Sequence, residues 1–261
     1  MNIVVLCKQV ADTESKIKLL DDGSGYNPAD IKWVLNPYDE YAVEEALKIK
    51  EAGGAEKVIV LAAGPTRFED ALLTSLAMGA DEAVLLEDDV FDGADPYVIA
   101  KALSTQLKEM EYGLLIAGKQ AVDDDMAAVP QMLAELLDIG QITVVSKMEV
   151  DGDTVKGWRE IEGGAQEVIE GNVPMIASLT KGINEPRYAS LPGIMKAKRK
   201  PFARKSAADV GFSADDAKTK VIAWSLPQER QAGKVFSGSA DDLAERVQEV
   251  VKLLAEEAKV I

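Results

Sequence analysis

The first half of the chain alternates between continuous apolar runs and segments with helical spacing. Residues 2–7 form an apolar run typical of a buried strand, and from residue 36 the apolar positions Val43, Ala46 and Leu47 recur at helical spacing. Further strands are predicted at residues 57–62, 83–86, 113–117 and 173–179, and helices before Met78 and at 96–110 and 126–137. This alternation predicts an α/β fold with a doubly wound, mostly parallel sheet.

The second half of the chain changes pattern. Short polar β segments at residues 147–150, 154–161 and 166–169 are separated by turn residues and predict a small β-hairpin insertion. After Pro201 the chain is poor in core residues until Ser239, which we expect to cap a last helix with an apolar face. That helix could cover its own sheet or pack on another chain. We therefore divide the chain into a domain at residues 1–200 and a C-terminal arm at residues 201–261.

Composition removes several classes of function. The chain has no histidine and one cysteine, which excludes catalytic histidines, histidine-containing metal sites and multi-thiolate clusters. A net charge of −16 argues against nucleic-acid binding, although residues 196–205 form a local basic patch. No apolar run is long enough for membrane insertion, and the start lacks a signal peptide pattern, so we expect a cytoplasmic protein. Because histidines are missing and there is only one cysteine, we also expect no bound metal.

Ligands of a doubly wound sheet bind beyond the carboxyl ends of its strands. Three segments meet that condition: the loop after Cys7, the turn at residues 36–39 and the segment at residues 118–125. The last has neither standard phosphate-loop motif, but it precedes a predicted helix whose first amides would suit a phosphate. Its three aspartates could instead cap that helix or hold a divalent ion.

Several motifs resemble one family in the same order along the chain. They are NP at residues 36–37, LAMGAD at 76–81, GKQA at 118–121, REIEGG at 159–164, PMIAS at 174–178 and NEPRYASLPGIMKAK at 184–198. All of them are similar to the corresponding motifs of electron transfer flavoprotein beta subunits. The resemblance runs from residue 1 to about 212, whereas the remaining tail is similar in length and position more than in sequence.

The resemblance implies a heterodimer in which this chain holds a structural AMP and the alpha subunit holds the redox-active FAD. By position, the residues of the nucleotide pocket would be Leu6, Asn36, Pro37, Tyr38, Asp39, Ala63, Gly118, Lys119, Gln120, Ala121, Val122, Asp123, Asp124, Asp125, Met126, Ala127, Ala128 and Val129. Glu160 matches an acid that faces the FAD domain of the alpha subunit. The partner-recognition loop at about 183–200 would dock a dehydrogenase through Leu191, Pro192, Gly193, Ile194, Met195 and Lys196.

The family's function would make this chain part of an electron carrier and not an enzyme. Electrons would pass from dehydrogenases, such as acyl-CoA dehydrogenase, to a quinone-linked oxidoreductase. Two alternatives remain: a bifurcating subunit with a second FAD in place of AMP, and a stand-alone adenine-nucleotide-binding regulator. AMP-binding relatives have side-chain hydrogen-bond donors where this chain has Ala127, Ala128 and Val129. The bifurcating subgroup has a glycine where this chain has Asp124, which leaves less room for a pyrophosphate. We favour AMP.

Overall fold

A computed structural model describes residues 1–212, 217–228, 232–239 and 242–261. The chain divides into two compact units, Met1–Trp224 and Ser225–Ile261. The boundary by contacts follows Trp224, whereas the sequence-based boundary at residue 200 stays a prediction.

The first unit contains all eleven strands found in the described residues and five of the α-helices. The strands are β1 (Asn2–Leu6), β2 (Gln9–Ala11), β3 (Trp33–Leu35), β4 (Lys57–Gly64), β5 (Glu82–Glu87), β6 (Leu114–Gly118), β7 (Gly140–Asp151), β8 (Thr154–Glu160), β9 (Gln166–Asn172), β10 (Met175–Leu179) and β11 (Phe202–Lys205). The helices are α1 (Pro37–Glu51), α2 (Glu69–Met78), α3 (Pro96–Leu107), α4 (Val129–Leu137) and α5 (Leu191–Ala197).

Nine of the described strands form one sheet in the order β11-β5-β4-β1-β6-β10-β7-β8-β9. All neighbours from β11 to β7 are parallel, and β7, β8 and β9 continue the sheet as antiparallel neighbours. The predicted doubly wound α/β fold is confirmed. The predicted hairpins are therefore an extension of the main sheet.

The two faces of β1 pack against different helices. Ile3 and Val5 lie in a core cluster with α1 and α2, whereas Val4 and Leu6 lie in a cluster with α3 and α4. Successive side chains of a strand point to opposite faces, so an uninterrupted apolar run is what a strand covered on both sides requires. The carboxyl end of β1 consequently lies between two helical layers.

Four segments differ from the sequence-based expectation. The helix expected from residue 126 begins at Val129, because Asp125 and Ala127 have left-handed backbone conformations with φ of 52° and 48°. Strand β7 begins at Gly140, seven residues before the predicted segment. The chain after Pro201 forms the edge strand β11 beside β5, and the recognition loop contains helix α5.

The second unit contains helix α6 (Leu243–Glu256), and Asp242 stands at its N-cap without a side-chain cap hydrogen bond. Ser239 therefore does not cap this helix as predicted; its hydroxyl donates to Asp242 Oδ2 at 2.9 Å. Four large apolar side chains of α6 are exposed: Leu243, Val247, Val251 and Leu254. No described helix combines the length and the apolar character that a bilayer crossing requires.

Candidate functional site

The strand order reverses direction between β1 and β6. From β1 the chain proceeds to β4 and β5 on one side, and then crosses to β6 and β10 on the other. The connections after β1 and β6 diverge to opposite faces of the sheet, which leaves a crevice at their carboxyl ends. Residues 7–8, the start of α1 and the loop at residues 119–128 meet there.

Asn36 and Asp39 connect the three segments of this crevice. Asn36 Nδ2 donates to Asp39 Oδ1 and to the carbonyl oxygen of Gln120, both at 2.9 Å, and Asn36 Oδ1 accepts from the amide of Val122 at 3.2 Å. Asp39 accepts from the amide of Lys8 at 2.8 Å and from that of Gly118 at 3.2 Å. These two buried side chains therefore hold the ends of β1 and β6 together.

Burial raises the pKa of Asp39 to about 7, although its hydrogen bonds from Asn36, Lys8 and Gly118 act in the opposite direction. Desolvation disfavours the charged carboxylate, whereas three N–H donors favour it. Both carboxyl oxygens are engaged by groups of this chain. Asp39 thus belongs to the framework of the crevice.

Lys8 begins the loop after Cys7 and lies in the crevice, although the sequence analysis did not include it among the pocket residues. Its Nζ lies 2.8 Å from Asp123 Oδ1 and 2.9 Å from Asp124 Oδ2. Burial lowers the pKa of Lys8, but the two aspartates outweigh it and leave the pKa above its ordinary value. Its position directly after the Cys7 end of an apolar strand was the available signal, because such residues face the crevice of a parallel sheet.

The three aspartates of the loop take individual roles. Asp123 and Asp124 bind Lys8, Asp125 accepts from the side chain of Gln120, and Asp124 Oδ1 also accepts from the amide of Met126 at 3.0 Å. None of them caps α4, whose N-cap is Ala128. Nowhere in the described ranges do three acidic or cysteine side chains converge as metal ligands would.

The first turn of α4 offers backbone donors to the crevice. The amides of Ala128, Val129 and Gln131 find no acceptor among the residues that the structure describes. These amides and the helix dipole favour an anion at this end of α4. Ala127, Ala128 and Val129 have apolar side chains, so the backbone supplies the donors.

Gly118 is required by close packing. A Cβ atom at this position would lie 2.7 Å from Tyr38 Cβ and 2.8 Å from the Tyr38 carbonyl carbon, and would also overlap Asp39 Oδ1. No larger residue fits without moving the start of α1 away from β6. The glycine therefore fixes the width of the crevice.

Other predicted pocket residues line or support the same region. Pro37 and Tyr38 begin α1, and Lys119 Nζ lies 6.0 Å from the centre of the Tyr38 ring. Leu6 and Ala63 lie near the carboxyl ends of β1 and β4, but both are buried in the core beside α3 and α4. The structure thus brings the predicted pocket segments together, with Leu6 and Ala63 beneath them.

A second surface is formed by α5. Ser190 caps this helix by accepting from the Gly193 amide at 3.1 Å. Leu191 and Met195 are 74% and 66% exposed, and Ile194 is also exposed. Gly193 lies against α2, where an added Cβ would approach the carbonyl oxygen of Ala77 to 2.5 Å. Leu191, Ile194 and Met195 form the exposed apolar cluster of this helix.

The basic patch at residues 196–205 divides into two groups. Lys200 donates to carbonyl oxygens at the end of α2, Arg204 pairs with Glu69 and Glu87, and Lys205 pairs with Glu109. The side chains of Lys196, Lys198 and Arg199 form no ion pair within the described parts of the chain. Of the two groups, the second consists of side chains without an ion pair to another described residue.

Glu160 lies away from the crevice. It ends β8, is exposed and pairs across the sheet with Gln166 of β9. Strand β8 is three positions from β6 in the sheet, so Glu160 does not join the crevice.

Comparison with known proteins gives a consistent result. The family model described as "Electron transfer flavoprotein domain" matches residues 25–210. The chain is 42% identical over its full length to the full length of electron transfer flavoprotein subunit beta of Bacillus subtilis. It is 44% identical to the Bradyrhizobium diazoefficiens protein of the same name, over 89% of this chain and 92% of that protein. A mitochondrial protein of Arabidopsis thaliana, also named as this subunit, is 39% identical over 95% of the chain and 97% of its own length.

Proposed function

The chain belongs to the electron transfer flavoprotein family as a beta-type subunit, and from that premise we propose that it is the scaffold half of a soluble electron carrier. In this role it holds AMP in the crevice between β1 and β6 and presents α5 to dehydrogenases. Its alpha subunit holds the FAD that accepts the electrons. The observation that carries the proposal is the preorganised crevice, where Asn36 and Asp39 join three chain segments beside the free amides of α4.

AMP fits the chemistry of the crevice better than a dinucleotide does. The unpaired amides of α4 suit one phosphate group. Asp123 and Asp124 neutralise Lys8, and their carboxylates would repel the second phosphate of a pyrophosphate. The adenosine would lie between the start of α1 and the loop after β6.

The alpha subunit is the proposed partner of α6. An amphipathic helix with four exposed large apolar residues stabilises its folded form by covering that face. We propose that the alpha subunit covers it, and that Glu160 meets the FAD domain of the same subunit.

The surface formed by α5 is the proposed dehydrogenase site. Leu191, Ile194 and Met195 provide an apolar anchor, and Pro192 and Gly193 shape the helix that carries them. Lys196, Lys198 and Arg199 are free to attract an acidic surface, which raises the rate of encounter. Partners would include dehydrogenases such as acyl-CoA dehydrogenase, and a quinone-linked oxidoreductase would accept the electrons. The chain itself would catalyse no bond chemistry and would work in the cytoplasm.

Co-expression with the alpha subunit tests this proposal. We expect a heterodimer whose visible absorbance corresponds to one flavin, and whose flavin is reduced by a cognate dehydrogenase. Two flavins per heterodimer would instead indicate the bifurcating function. A stable chain that binds adenine nucleotide but neither a partner nor flavin would indicate a regulator, and would contradict the electron-carrier function.

A further inference from the structure

The segment that leads into α5 is fixed to α1 by an arginine. Arg187 Nε donates to Glu44 Oε2 at 2.7 Å and Nη2 donates to Glu44 Oε1 at 3.0 Å, while the Arg187 amide also donates to Glu44 Oε2 at 3.1 Å. Nη1 and Nη2 further donate to Glu51 at 2.5 and 3.0 Å. Glu44 is only 6% exposed, so this carboxylate depends on Arg187 for its compensating charge.

A second contact supports the same segment. Asn184 Nδ2 donates to the carbonyl oxygen of Tyr41 at 3.0 Å and to Glu45 Oε2 at 2.9 Å, both on α1. Four residues before α5 begins, the guanidinium of Arg187 then fixes the direction in which this segment leaves α1. A planar guanidinium that binds one carboxylate with two nitrogens sets orientation as well as distance.

The other side of α5 rests on α2. Gly193 packs against the carbonyl oxygen of Ala77, and Lys200 Nζ donates to the carbonyl oxygens of Leu76 and Ala80 at 2.9 and 2.5 Å. Helix α5 is therefore held before its first residue by α1 and after its last residue by α2. The chain is therefore anchored on both sides of the exposed apolar cluster, by α1 before it and by α2 after it.

We propose that Arg187 is the positioning residue of the docking surface, and that it keeps α5 in its binding orientation before a partner arrives. This inference rests on the proposed docking function of α5. A surface that is already ordered does not lose that conformational entropy on binding, so the partner binds more tightly. Arg187 acts through the backbone of residues 188–190 and does not itself contact the dehydrogenase.

The first test compares Arg187→Lys with the matched control Arg204→Lys in the purified heterodimer. Lysine keeps the charge but cannot bind Glu44 with two nitrogens, whereas Arg204→Lys weakens ion pairs with Glu69 and Glu87 that do not involve the segment before α5. We expect Arg187→Lys to raise the half-saturating dehydrogenase concentration by about three- to tenfold, in line with the ordering cost of roughly one or two side chains. The limiting rate and the flavin content should stay at wild-type values.

The second test does not need a dehydrogenase. Hydrogen–deuterium exchange of residues 190–198 should be faster in Arg187→Lys than in wild type or Arg204→Lys. Glu44→Gln approaches the same contact from α1 and should act in the same direction. If exchange of this peptide is unchanged in both variants, the positioning role is wrong. If exchange changes but neither Arg187→Lys nor Leu191→Ala affects the dehydrogenase, the proposed docking function is what fails.

Discussion

Replacing Asp39 by asparagine should change how the stability of the complex depends on pH. Burial raises the pKa of Asp39 from 3.8 to about 7, so the folded protein holds a proton that the unfolded chain has released. The tighter proton binding of the folded state stabilises it fully below pH 3.8, and this stabilisation is lost as the pH rises through about 7. The slope is about 1.4 kcal/mol per pH unit and decreases near the folded pKa, so wild type loses ~2 kcal/mol from this group between about pH 5 and pH 7.

Asparagine has no proton to lose, so Asp39→Asn avoids that pH-dependent cost. Its amide nitrogen would face the amide of Lys8 or Gly118, which costs about 1 to 3 kcal/mol at every pH because a donor loses its acceptor. The variant should therefore be less stable than wild type near pH 5 and comparable or more stable near pH 8.

Urea denaturation of the co-purified complex, followed by circular dichroism at intervals of one pH unit, measures this difference. Asp30→Asn is the matched control, because Asp30 is exposed and Lys18 lowers its pKa, so its titration ends below this range. A constant difference between Asp39→Asn and wild type from about pH 5 to pH 8 would show that Asp39 does not titrate near neutrality in the folded protein.

Three further predictions concern separate parts of the chain. Gly118→Ala should abolish nucleotide retention, because its Cβ would overlap the start of α1; chromatography of nucleotide released from the purified complex checks this. Leu191→Ala should weaken dehydrogenase binding by about 1 to 2 kcal/mol, as expected for an apolar side chain that is 74% exposed, without changing the melting temperature of the complex; an unchanged rate at subsaturating dehydrogenase would contradict it. The chain expressed alone should self-associate through the apolar face of α6, and adding the alpha subunit should reverse this; a monodisperse chain in sedimentation, unaffected by that subunit, would count against the assignment.

Local patterns were sufficient to predict most of the strands and helices of the central sheet. Strands such as β1 and β4 are apolar on both faces, which makes them visible as continuous runs. Edge strand β11 contains Arg204 and Lys205, which form ion pairs with residues distant in sequence. Because of these charged residues, the segment has no apolar run that would predict a strand. Helix α5 was not predicted, although Pro192 lies in its first turn, where proline is favoured.

The site was only partly predictable for a related reason. Asn36 and the loop after β6 could be placed in one crevice from the rule for parallel sheets. The contacts of Lys8 with Asp123 and of Arg187 with Glu44 join residues more than one hundred positions apart. Neither pairing has a local sequence signal, because it depends on which strands and helices become neighbours.

The nucleotide content of the purified heterodimer tests the central claim most directly. Denaturation releases bound nucleotides, and chromatography against standards counts them per beta-type chain. We predict one AMP and one FAD per heterodimer, with AMP lost in Gly118→Ala while FAD remains. Two FAD per heterodimer and no AMP would contradict the assignment of the crevice between β1 and β6 to a structural mononucleotide.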